Sequence, residues 1–183
     1  MPLIRRLQTL LRSLTMRLSC FRAMATARRD SLARLNRQEI RRVLVVCYGN
    51  IYRSAFVGAH MAQQSNSQLE IRSVGLHPVA GRSSPSRHVE MSRRYHIELA
   101  DHRSKVLAPS DLAWADLIVF MDRHNWQALI ERGAARERMV WLGALDGGAI
   151  EILDPYRLND AHAEQILERL ANCSEQLVVR LRA

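Results

Sequence analysis

The stretch Val43-Leu44-Val45-Val46-Cys47-Tyr48-Gly49-Asn50-Ile51-Tyr52-Arg53-Ser54 decides how the rest of the chain is read. Four apolar residues without polar alternation suit a strand buried on both faces, as in a parallel sheet covered by helices. The loop that follows therefore sits at a strand's carboxyl end. Gly49 and Asn50 are the residue types that accept the backbone angles needed to turn several N–H groups inward onto one anion. Ser54 is expected to cap a helix through Ala55, Phe56, Val57, Ala59, His60, Met61 and Ala62, whose positive end faces the same anion. In that field the helix end, the inward N–H groups and the Arg53 guanidinium all favour the thiolate of Cys47, which is the nucleophilic form. Five residues separate Cys47 from Arg53. That spacing lets the loop wrap a tetrahedral oxyanion, with sulfur beneath the central atom and arginine gripping two of its oxygens. A strand-end cysteine beside an unrelated surface arginine is the bland alternative, and the strand before and the helix after argue against it.

Composition bounds what surrounds this loop. A chain of 183 residues fills one domain and is short for two. The formal net charge of +9 at first suggests a polyanion partner. Residues 1–40 hold nine arginines against Asp30 and Glu39, a net +7, so the remainder carries only +2 and nucleic-acid binding loses its support. Cys20, Cys47 and Cys173 are far apart and odd in number, with neither a disulfide framework nor a zinc spacing, so no metal or cofactor is expected. A cytoplasmic, reducing setting fits them. No apolar run is long enough to span a membrane.

Residues 1–40 read as an extension and linker ahead of a catalytic domain at 41–183. Ile4, Leu7, Leu11, Leu14, Leu18 and Phe21 recur at helical spacing among arginines, which describes a basic amphipathic helix. Residues 1–23 fit three readings: peripheral contact with the anionic inner face of a membrane, an organelle-targeting presequence, or upstream coding sequence before a start at Met24. Residues 25–40 read as a linker or a short polar helix. Beyond the opening strand, further strands are expected at Leu69–Val74, Asp116–Met121 and Arg138–Leu142. Helices are expected at Ser86–Tyr95, from a Ser110 cap through Trp114, from an Asp122 cap to about Arg132, and at Asp160–Leu181. The alternation gives an α/β fold: a single three-layer domain with a four-stranded parallel sheet flanked by helices and the phosphate loop after the first strand.

Val46 to Ser54 resembles the signature of the low-molecular-weight protein tyrosine phosphatases, Cys-x-Gly-Asn-x-Cys-Arg-Ser-Pro. Tyr52 stands where that family usually has a second cysteine, and Ala55 where it has proline. Further along, Ser73-Val74-Gly75-Leu76 is similar to the family's Ser-Ala-Gly strand end, Asp101-His102-Arg103-Ser104 to its His-containing segment, and Ile152-Leu153-Asp154-Pro155-Tyr156 to its Asp-Pro-Tyr loop. The resemblance implies a phosphatase of the bacterial type with an N-terminal extension. Cys47 would form a phosphocysteine, Arg53 would hold the phosphate oxygens, and Asp154 would donate the proton to the leaving group. Tyr48, Gly49, Asn50, Ile51, Tyr52 and Ser54 would complete the phosphate-binding loop. Tyr156 and Tyr48 would wall the substrate cleft, and His102 and Ser73 would support the loop from behind. An apolar Ile51 points to phosphotyrosine, since relatives acting on phosphoarginine carry threonine there, and Arg157 favours acidic sequences around the phosphotyrosine. The partner implied is a phosphotyrosine protein, in bacteria a tyrosine kinase of exopolysaccharide export. Three alternatives remain: a phosphoarginine phosphatase, a phosphotyrosine-binding pseudoenzyme, and an arsenate reductase, which needs relay cysteines that residues 48–172 lack. With Tyr52 in place of a thiol, oxidation of Cys47 is expected to pass beyond sulfenic acid.

Overall fold

Val43, Leu44, Val45 and Val46 are all fully buried, because β1 (Arg42–Cys47) runs through the middle of a sheet with helices on both faces. Successive side chains of a strand point to opposite faces, so β1 feeds two cores. Val43, Val45 and Cys47 pack with Phe56, Val57 and Met61 of α2 (Arg53–Gln64) and with Leu167, Leu170 and Leu177 of α6 (Asp160–Arg182). Leu44 and Val46 pack on the other side with Ile118 and Phe120 of β3 (Leu117–Phe120) and Leu129 of α5 (Arg123–Glu131). The computed structural model describes residues 22–36 and 39–182. The amphipathic pattern expected at the N-terminus lies almost wholly outside these residues. Among the described residues, no helix is long and apolar enough to cross a membrane.

The sheet is parallel throughout, in the order β2 (Glu70–Gly75), β1, β3 and β4 (Met139–Trp141). From β1 the chain moves to one side to form β2 and then crosses over to β3 on the other side. The switch of direction opens a crevice beyond the carboxyl ends of β1 and β3, the usual place for a site in such a sheet. Helices α3 (Ser86–Arg93) and α4 (Pro109–Trp114) complete the element list between β2 and β3.

Two expected helix boundaries move. The helix expected to reach Tyr95 ends at Arg93, because His96 adopts a left-handed φ of 59° and Ile97 N–H returns to Ser92 C=O. Ser110 does not cap α4: Ala108 occupies the N-cap, its N–H bonded to Asp111 at 3.0 Å.

Of the two readings of residues 25–40, the helix is what forms: residues 22–35 make α1. It covers the open edge of the sheet. Ser31 Oγ accepts from Trp141 N–H at 3.3 Å, and Arg34 donates to Met139 C=O at 2.7 Å, so two backbone groups on the edge strand β4 find partners. Leu35 is buried beneath it. Along one face of it, Met24, Ala27 and Arg34 share a groove of ≈ 680 Å³ with Trp126, Trp141 and Ile150.

Candidate active site

Cys47 is the last residue of β1 and only 1% exposed. Its Sγ receives the Asn50 N–H at 3.2 Å and lies 3.0 Å from Ser54 Oγ. Asn50 takes a left-handed φ of 51°, which an asparagine tolerates better than most residues, and this turns its backbone around the sulfur. Its side chain then pins the loop. Nδ2 donates to Ser54 Oγ at 3.0 Å and to Ser73 Oγ at 3.1 Å, while Oδ1 accepts from Lys105 N–H at 2.8 Å. Asn50 C=O accepts from His102 Nε2 at 2.7 Å. A carbonyl can only accept, so Nε2 carries the proton, and burial lowers the His102 pKa. A Cβ on Gly75 would sit 3.0 Å from Gly49 C, Tyr48 O and Asn50 Cβ, so a larger residue would press against the loop.

The expectation for Ser54 needs correcting. Tyr52 is the N-cap of α2, and no side chain caps the helix. Ser54 lies in its first turn with a buried hydroxyl that touches Cys47, Asn50 and Val74 C=O. Those partners, rather than a helix amide, take up the hydroxyl. The uncapped amides at the start of α2 are left facing the loop.

Arg53 is 1% exposed yet charged, because carboxylates surround it. Nη1 donates to Asp122 at 2.5 Å and to Ile152 C=O at 3.0 Å, and Nη2 donates to Asp154 at 2.6 Å. Burial opposes its charge, but Cys47, Asp154 and Asp122 outweigh it and hold the pKa above the ordinary value. Nε is buried with no partner among the described residues, a donor suited to an anion in the loop. Asp122 caps α5 as expected, accepting from Asn125 N–H at 2.8 Å, and its second oxygen grips Arg53. Sequence reasoning missed that second contact. Its one signal is position, a carboxylate at the carboxyl end of a buried parallel strand.

Asp154 caps a single 3-10 turn, Pro155–Arg157, accepting from Tyr156 N–H at 3.0 Å with the oxygen that Arg53 leaves free. The backbone on either side is held by arginines. Gly148 C=O is taken by Arg28, Ala149 and Glu151 C=O by Arg169, Ile152 C=O by Arg53, and Pro155 and Leu158 C=O by Arg87. Arg169 also pairs with Asp146 at 2.6 Å. Burial opposes ionisation of Asp146, yet Arg169 and the Gly148 N–H hold its carboxyl below the usual range. Beside it, burial pushes the Cys173 thiol up to about 12. Arg28, Arg87 and Arg169 carry no local motif that would mark them.

The family description "Low molecular weight phosphotyrosine protein phosphatase" matches residues 42–183. The chain belongs to this family. Among its relatives is the probable low molecular weight protein-tyrosine-phosphatase EpsP of Ralstonia nicotianae, 32% identical over 145 residues that span 79% of this chain and 98% of that one. Two solved structures share the fold. The tyrosine phosphatase AmsI of Erwinia amylovora superposes with a TM-score of 0.72 at 23% identity, covering 79% of this chain and 95% of its own. The YwlE arginine phosphatase of Geobacillus stearothermophilus gives 0.71 at 23% identity, covering 78% and 93%.

In this low-molecular-weight phosphatase the cleft above Cys47 measures ≈ 430 Å³. Tyr48, Gly49, Ile51, Tyr52, Asp154, Tyr156 and Arg157 line it, together with His77 and Arg82, which the sequence did not single out. Tyr48 and Tyr156 are exposed aromatic faces. Tyr48 stands edge-on to His77 and His124, at centroid distances of 5.6 Å and 5.5 Å. Tyr52 is buried instead, its ring 4.5 Å from His88 and 6.0 Å from Tyr156. Arg82 crosses the rim to donate to Gly49 C=O at 2.6 Å. His102 and Ser73 both bond Asn50.

Proposed function

We propose that this enzyme hydrolyses phosphotyrosine in proteins through a phosphocysteine. One observation carries the reading: Cys47 and Asp154 line one cleft, with Arg53 bonded to Asp154 beneath it. The Cys47 thiolate attacks phosphorus and the bond to the tyrosyl oxygen breaks. That oxygen takes a proton from the Asp154 carboxyl, giving tyrosine and the phosphocysteine. Water then attacks phosphorus and gives a proton to Asp154, the S–P bond breaks, and phosphate and thiolate are released. Arg53 and the amides of the loop stabilise the equatorial oxygens in both steps. Ser54 donates to the sulfur as it leaves. Tyr48 and Tyr156 supply aromatic walls for the substrate ring. The apolar Ile51 favours phosphotyrosine over phosphoarginine, and the cationic Arg157 and Arg82 on the rim favour acidic flanking sequence.

The protein substrate we infer is a tyrosine autokinase of exopolysaccharide export, the partner class implied by resemblance to bacterial members. Enzyme and kinase would meet in the cytoplasm, with residues 1–23 in peripheral contact with the membrane. Turnover of p-nitrophenyl phosphate and of phosphotyrosine peptides, abolished in Cys47→Ser and slowed in Asp154→Ala, is the expected result. Tight phosphopeptide binding without turnover would instead mark a pseudoenzyme, and preference for phosphoarginine peptides would move the substrate class.

A further inference from the structure

The family description begins at residue 42, yet α1 ahead of it reaches the loop that carries Asp154. Arg28 donates Nη1 to Ala144 C=O at 3.0 Å and Nη2 to Gly148 C=O, so one planar guanidinium closes the turn from 144 to 148 at both ends. Within that turn Asp146 accepts from Gly148 N–H at 3.0 Å and from Arg169. Arg169 goes on to Ala149 and Glu151 C=O. Ile152 is then fixed at both ends, its N–H to Met121 C=O at 2.8 Å and its C=O to Arg53 at 3.0 Å. Asp154 follows two residues later. The turn contains Gly147 and Gly148, with Gly147 at a left-handed φ of 74°. Two successive glycines lose more freedom on ordering than any other pair, so this approach to Asp154 depends on donors supplied from outside.

We propose that Arg28 is a positioning residue for the Asp154 loop, acting from a helix outside the family's common domain. The proposal rests on the reading of Asp154 as proton donor. A loosened turn displaces Asp154 relative to the leaving oxygen and leaves the phosphate loop intact. The loss then falls on substrates whose leaving group needs a proton.

The test compares kcat/KM of the full chain for aryl phosphates whose phenols range from dinitrophenol to tyrosine. Asp154→Ala should lose about 10²–10⁴-fold on phosphotyrosine and little on the dinitrophenyl ester. Arg28→Ala should lose about tenfold on phosphotyrosine and less than about twofold on the dinitrophenyl ester. Arg29→Ala, on an exposed neighbour in the same helix, should change neither. Arg28→Lys keeps the charge but reaches one carbonyl, so it should lie between wild type and Arg28→Ala; it decides the matter if Arg28→Ala fails to fold by circular dichroism. Equal losses on all esters, or none, in the Arg28 variants while Asp154→Ala keeps its leaving-group dependence would overturn the role of Arg28 alone. Absence of that dependence in Asp154→Ala would overturn the proton-donor reading and this proposal with it.

Discussion

Between Cys47 and Ser54 the bonds around the sulfur are local, from Asn50 N–H and Ser54 Oγ to Cys47 Sγ and from Asn50 Nδ2 to Ser54 Oγ, and Ser73, His102 and Lys105 brace them from behind. Between Ala144 and Leu158 the donors arrive from distant helices, and Arg28 is 116 residues from its acceptor. In the proposed reaction the first loop holds one rigid shape around an anion, and small polar side chains pack directly about its sulfur. In that reaction the second presents a carboxyl to the leaving group, and long arginines fix its carbonyls singly or in pairs. Adjacent residues on α3 join the two. His88 Nε2 bonds Tyr52 C=O of the phosphate loop at 3.2 Å, while Arg87 holds Pro155 C=O at 3.2 Å and Leu158 C=O at 2.9 Å.

The largest expected effect separates the loops by redox chemistry. Tyr52 occupies the position next to Arg53, and Cys173 is buried, so activity lost in a long peroxide pulse should not return with dithiothreitol. Full recovery would mean that another thiol captures oxidised Cys47. Asn50→Ala should lower kcat/KM about a hundredfold, because the loop donors lose their preorganisation. That loss should be the same for every aryl phosphate, and a strong leaving-group dependence would break the proposed division of labour. Arg87→Ala should do the opposite, with a loss of about tenfold confined to poor leaving groups. The smallest effect is on stability. Burial pushes the His88 pKa down from 6.5 to about 4, so the folded protein resists a proton that the unfolded chain accepts. Stability is therefore complete above about pH 6.5 and falls toward pH 4, by about 1 kcal/mol between pH 7 and 5.5. Urea denaturation at those two values should show a smaller drop for His88→Gln, and an identical drop would exclude His88 as the cause.

The same contrast explains what was legible in the sequence. The strand Val43–Val46, the turn-prone Gly49-Asn50 and the Arg53-Ser54 helix start are local signals, and the four-stranded parallel sheet followed from the strand and helix alternation, though not its order. Asp154-Pro155-Tyr156 was marked by its likeness to the family's Asp-Pro-Tyr loop, since by itself the tripeptide reads as a turn. Ser54 misled because serine at a helix start usually caps, and a sulfur 3.0 Å away cannot be seen in a linear pattern. Asp122 was half legible: its cap on Asn125 is three residues away, but its Arg53 partner is 69 away. Arg28, Arg87 and Arg169 were invisible among the chain's other arginines, since only the fold tells a carbonyl clamp from a solvated cation.

The groove beside α1 has an optical consequence. Two of the chain's three tryptophans, Trp126 and Trp141, line it, while Trp114 lies elsewhere, its ring 3.9 Å from the Arg72 guanidinium. Indole emission shifts to the red as water replaces apolar neighbours. Any event that lifts the N-terminal helix from the body would move the fluorescence of two indoles and leave the third as an internal constant, so its docking can be followed in the native chain without a label.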